Sequence, residues 1–111
     1  MDSLSFQLPW NDLLAAFALF LRVAAFISVA PVIGADTVPA RIRAALGVLI
    51  AVVLVPLVPP VRPDVSLVSL ALSESMVGLL LGFSARVVVD AAFVAGIITG
   101  FPTGISMASM L

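Results

Sequence analysis

The stretch Leu21–Gly47, LRVAAFISVAPVIGADTVPARIRAALG, decides how the rest of the chain is read. It opens inside an apolar run that holds one charge, Arg22, and breaks at Pro31. It crosses the short turn Gly34-Ala35-Asp36-Thr37, restarts at Pro39, and sets Arg41 and Arg43 at the foot of a second apolar run. A soluble core does not carry a lone guanidinium within one apolar run and two more at the base of the next. A membrane-embedded chain marks its helix ends and its contacts with other protein in this way.

Composition points the same way. Apolar residues make up 63% of the 111 and charged residues 10%, where an average soluble domain has about 25% charged residues. A soluble chain of this length has too little interior to hide so much apolar surface. The net charge of −1 and the absence of a basic patch argue against nucleic acid as a partner. The chain has no Cys and no His, which removes disulfides, thiol nucleophiles, imidazole bases and the usual zinc ligands. Asp2 and Asp12 flank the start of the first apolar run, the wrong sign for a cleavable signal, so that run is expected to stay in the mature protein.

Outward from the opening stretch, Leu13–Ile33 is about the 20 residues that cross a hydrocarbon core. Asn11 or Asp12 is expected to cap it, with Trp10 at the membrane interface. A mid-bilayer Arg costs about 2.5–3.5 kcal/mol, so Arg22 must snorkel, find a carboxylate or carbonyl partner, for instance in an ion pair with a neighbouring subunit, or stand on a helix that does not sit in lipid. Asp36 or Thr37 is expected to cap the next helix, with Pro39 in its first turn. Arg41 and Arg43, two apart, point to different sides and read as anchors on the cytoplasmic side. Ala44–Val55 forms the second apolar segment, closed by a rigid Pro-rich corner at residues 56–63.

Val65–Leu111 is too long for one simple span. Glu74, Gly78, Gly82, Arg86 and Asp90 recur every four residues, as do Ala92, Gly96, Gly100, Gly104 and Ala108. Small residues at that spacing let membrane helices approach closely. Arg86 and Asp90 can pair one turn apart. Pro102 removes a helix donor, so GFPTGISMASML is expected to be a kinked helix end or a loop with soft Met side chains.

Catalytic chemistry is hard to assemble. A Ser106 nucleophile would have no His to take its proton. Glu74 and Asp90, the two carboxylates of the third apolar region, would lie about 24 Å apart on one helix, too far for an acid–base pair. No phosphate loop, metal cluster or cofactor motif is present. The fold class expected is an all-α membrane protein, one domain over residues 1–111, with three to four helical segments.

The element L-R-x-x-A-x-x-x-x-A-P at Leu21–Pro31, V-P-x-R-x-R-x-x-L-G at Val38–Gly47 and the closing Pro56 together resemble the N-terminal half of the FliR/SctT family. So do Gly78 with Leu81-Gly82-Phe83, and the spacing of Gly96, Gly100, Gly104, Ser106 and Ala108. The family has an acidic residue where this chain has Ile97, and Gln-Met where it has Pro102-Thr103. Its members are over twice as long. The resemblance implies an export-gate subunit of a flagellar or virulence type III secretion system in the bacterial inner membrane, flagellar by slight preference and then part of the basal body. It also implies bent helical hairpins and partners that are FliP/SctR-like, FliQ/SctS-like and FlhB/SctU-like, with unfolded export substrates passing through the channel. Gly104–Met110, including Ser106, Met107 and Met110, would lie near the pore or plug. The alternatives carried are half of a small ion- or proton-coupled transporter built on Arg86 and Asp90, and a membrane scaffold with no passage.

Overall fold

The computed structural model describes residues 10–31, 38–59, 61–62, 64–102, 104 and 108. Three α-helices account for most of them: α1 (Trp10–Val29), α2 (Ala40–Leu54) and α3 (Leu67–Gly100), with a 3-10 turn, Val55–Leu57, after α2. All three, α2 together with its 3-10 turn, are long and apolar enough to cross a membrane. The chain is an all-α membrane protein.

The helix limits follow local chemistry. α1 begins at Trp10, three residues before the apolar run expected from the sequence, so Asn11 and Asp12 lie within its first turn instead of capping it. Asp12 is favourable there against the positive end of the helix dipole. The last backbone bond runs from the Ala30 N–H to the Phe26 carbonyl at 2.8 Å; Pro31 has no N–H to continue the ladder. At α2 the N-cap position belongs to Pro39, with no side-chain cap. Its carbonyl accepts from the Ile42 and Arg43 N–H groups at 3.0 and 3.2 Å. The expected caps Asp36 and Thr37 lie outside the described residues, as do Pro60 and Pro63 of the corner.

α3 is one continuous helix of 34 residues. Ser66 caps it, its Oγ accepting from the Ser69 N–H at 3.2 Å. The helix ends at Gly100, two residues before Pro102, whose ring nitrogen cannot bond back to Ile98. Most hydroxyls of the helices donate to carbonyls of their own helix or its cap. Ser84 donates to the Leu80 carbonyl at 2.7 Å and Thr99 to Ala95 at 2.9 Å, the arrangement by which membrane helices carry Ser and Thr without exposing a lone donor to lipid.

α1 is the spine. α2 packs on one side of it and α3 on another, while α2 and α3 make no contact with each other among the described residues. Five of the six most buried apolar residues, Ala15, Ala18, Leu19, Ile27 and Ala30, lie on α1 or its end; the sixth is Ala51. α2 runs antiparallel to α1: Val52 and Val55 lie beside Leu13 and Ala16, and Ala40 and Ala44 beside Ala24 and Ile27. Gly47 faces the Phe20 ring between them.

α3 runs parallel to α1. Gly78 meets Arg22 and Ala25, and Gly82, one turn on, meets Phe26 and Val29. A Cβ at Gly78 would overlap the Arg22 carbonyl oxygen and lie 2.9 Å from the Ala25 Cβ; at Gly82 it would lie 2.7 Å from the Phe26 oxygen. Only glycine lets the two backbones come this close. By the same register α1 ends level with Ala85, and every residue from Arg86 to Thr99 is exposed. That overhang is about 21 Å of helix at 1.5 Å per residue, and the described fold extends 72 Å along its longest axis.

Substituting Gly78 by Ala should drive α1 and α3 apart and cost about 1–3 kcal/mol, the usual penalty of overpacking. At Gly96 a Cβ meets nothing within 4 Å, so Gly96→Ala should leave the isolated chain unharmed or stabilise it by about 0.5–1 kcal/mol. Unfolding followed by circular dichroism in detergent micelles reads both.

Candidate functional site: an ion pair on a glycine ridge

The first three members of the four-residue ridge converge on one face of α1. Glu74 stands one turn before Gly78 on α3, and Arg22 stands on α1 beside it. The Arg22 Nε donates to Glu74 Oε2 at 2.6 Å and its second guanidinium nitrogen donates to Oε1 at 3.0 Å. This is the two-pronged fit of a planar guanidinium to a carboxylate. The Glu74 side chain is 16% exposed and that of Arg22 40%. Helical side chains lean toward their helix N-terminus, so Arg22 reaches back from the level of Gly78 to the level of Glu74.

The surroundings explain the pairing. The wall around it includes Ala18, Leu19 and Leu70 from the helices and Val58, Pro59 and Val61 from the Pro-rich corner. The corner therefore packs beside the ion pair as well as linking α2 to α3. In that apolar setting neither charge is tolerable alone. Arg22 thus has its ionic partner inside its own chain, 52 residues away, and needs neither the snorkelling nor the neighbouring subunit considered from sequence. The signal that could have found it is that Arg22 lies near the middle of the first apolar segment and Glu74 heads the glycine ridge of the third.

The other expected site residues are distributed differently. Arg86 and Asp90 pair with each other one turn apart at 3.6 Å, with side chains 58% and 66% exposed, on the overhang beyond α1. Arg41 is exposed on the first turn of α2. Arg43 is half-buried in the α1–α2 cleft, and its Nε is shielded from solvent with no hydrogen-bond partner among the described residues. A Cβ at Gly96 would meet nothing within 4 Å beyond its own helix backbone among the described residues, and Gly100 closes α3. Gly104 lies in a turn with φ +70°, a left-handed backbone that disfavours any Cβ. Ser106, Met107 and Met110 lie outside the described residues.

Removing one partner of the ion pair, as in Arg22→Gln or Glu74→Gln, should lower stability by about 1–3 kcal/mol, between the values for exposed and fully buried pairs. The exchanged double variant Arg22→Glu/Glu74→Arg should recover much of that loss, and a thermal-unfolding double-mutant cycle measures the coupling. Asp90→Asn should cost less than about 0.5 kcal/mol in the same assay, as for other solvent-exposed pairs one turn apart.

Comparison with known proteins places this architecture. A family model described as "Bacterial export proteins, family 1" matches residues 13–111. The flagellar biosynthetic protein FliR of Bacillus subtilis (strain 168) is 34% identical over 104 residues, covering 90% of this chain and 40% of that protein. FliR of Escherichia coli (strain K12) is 33% identical over 109 residues, covering 94% of this chain and 40% of that protein. The chain thus spans about two-fifths of the length of the curated relatives it matches. No solved structure matches it significantly. With a family match that takes in Arg22, Glu74 and both glycines of the ridge, the chain belongs to bacterial export proteins family 1.

Proposed function

We propose that this chain serves as a structural subunit of a type III protein-export gate, of the flagellar kind, in the bacterial inner membrane. It would pack beside other small membrane subunits and help to form and close the passage for unfolded substrates. The observation that carries the reading is the overhang of α3. A 34-residue helix is about 51 Å long, against a hydrocarbon core of about 30 Å. Its unaccompanied part still exposes Val87, Val88, Phe93, Val94, Ile97 and Ile98. An apolar rod longer than the bilayer, with no helix alongside its second half among the described residues, calls for further protein to cover it.

The same reading gives the remaining residues a use. Gly96 and Gly100 offer partner helices a close approach on the overhang, and Arg86 and Asp90 offer charges that can re-pair across an interface. Gly104–Met110 would lead toward the closable part of the passage. The chain's role would be mechanical and not catalytic, with unfolded protein as cargo. The supporting comparison is the name of the relatives, flagellar biosynthetic protein FliR.

Gentle detergent extraction from the native membrane, followed by mass analysis, tests this. Co-purification of two or more small helical membrane proteins is the expected result; recovery of a lone monomer would count against it. Gly96→Leu should reduce that co-purification while leaving the fold of the isolated chain intact. Asp90→Asn should weaken assembly; complete loss of ion or proton flux with assembly unchanged would point to a transporter instead.

A further inference from the structure

We propose that the cleft between α1 and α2 holds the headgroup end of an anionic phospholipid, its phosphate on Arg43 and the start of its acyl chain against Phe20. The cleft has a volume of about 320 Å³, at the lower end of the roughly 300–1,000 Å³ of ligand pockets. The described residues lining it run from Ser28 and Ala40 at the hairpin end, past Arg43, to Ala24 and Phe20. Ser28 to Phe20 is about 12 Å of helix. Its polarity is therefore graded along the helix axis: cationic at the end where the hairpin turns and apolar toward the middle of the span.

Arg43 is the anomaly that calls for an occupant. Its Nε is screened from water and bonds to nothing among the described residues, and none of the described lining residues is acidic. An N–H of a cation left unpaired in this way is costly. The residue as a whole is only half-buried, so a small rotation on its flexible stem can turn the guanidinium onto an anionic oxygen. Arg41 stands one residue from the cleft lining and adds positive charge nearby, as does the amino end of α2. Basic pockets between membrane helices recruit anionic headgroups in this manner. The grading selects a lipid over a carboxylate from a neighbouring helix. A carboxylate would occupy the mouth and leave the apolar slot empty, whereas a phospholipid fills both. The inference rests on the membrane setting alone and not on the export role.

The test uses the full chain in nanodiscs of phosphatidylcholine with a minor fraction of phosphatidylglycerol, with retained lipid counted by native mass spectrometry. Phosphatidylglycerol should be retained in preference to phosphatidylcholine, and Arg43→Gln should reduce its retention about tenfold, the scale for losing a charge-assisted hydrogen bond to phosphate. Arg43→Lys should lie between. Ala44 is exposed on the rim of the cleft, so Ala44→Phe should block the slot and lose the lipid with Arg43 intact and the fold unchanged. That arm decides should the Arg43 variants fail to insert. Equal retention of the two lipids, no effect of Arg43→Gln or Ala44→Phe, or full displacement by inorganic phosphate would overturn the assignment. So would a photo-crosslinker at position 44 that captures a protein carboxylate and no lipid.

Discussion

The rest of the fold depends on how closely α3 lies against α1. Two features act at the same place. Gly78 and Gly82 remove the side chains that would hold the backbones apart, and Glu74, one turn earlier, receives the guanidinium of Arg22. Each feature supports the other. Close approach brings the carboxylate within reach of a side chain that leans back along its own helix, and the ion pair fixes which turn of α3 meets which turn of α1. Between apolar helices, side-chain packing alone discriminates poorly among registers one turn apart; a single charge pair does so at once, because every other register leaves both ions without a partner.

From that register the other properties follow. With Gly78 opposite Arg22 and Gly82 opposite Phe26, α1 runs out while α3 still has four turns to go. The overhang is thus a consequence of where the pair forms, and so is the exposure of Arg86 and Asp90. α2 contributes little to this. It packs on the other side of the spine through Gly47 and Ala51, and it leaves at its amino end a cleft in which the Arg43 Nε has no hydrogen-bond partner among the described residues. One helix pair is locked by charge, while the other is held by small apolar contacts and has space at one end.

The glycines of one sequence pattern divide into different roles. Gly78 and Gly82 are needed for contact within the chain. Gly96 meets no other helix among the described residues, and Gly104 supplies a left-handed turn after α3. Regular spacing by four residues is the same on paper for all of them. What separates them is whether another helix lies alongside, which depends on the length of α1 and not on α3.

The amino-acid sequence by itself determined the class of protein, a small set of apolar helical segments and where prolines end them. It determined these because hydropathy, run length and the missing proline donor act locally. Pro31 ends α1 and Pro102 follows the end of α3 for reasons readable from the residues alone. It also marked Arg22 as a charge that requires a partner and placed Glu74 at the head of the glycine ridge. Only the tertiary structure decided that Arg22 and Glu74 are each other's partner, that α3 runs parallel to α1, and that the Arg43 Nε is unmatched among the described residues of a cleft. The first two depend on contacts 50 or so residues apart along the chain, the third on elements about 20 apart, and all on a register set by backbone distance. No local pattern encodes a distance between two helices.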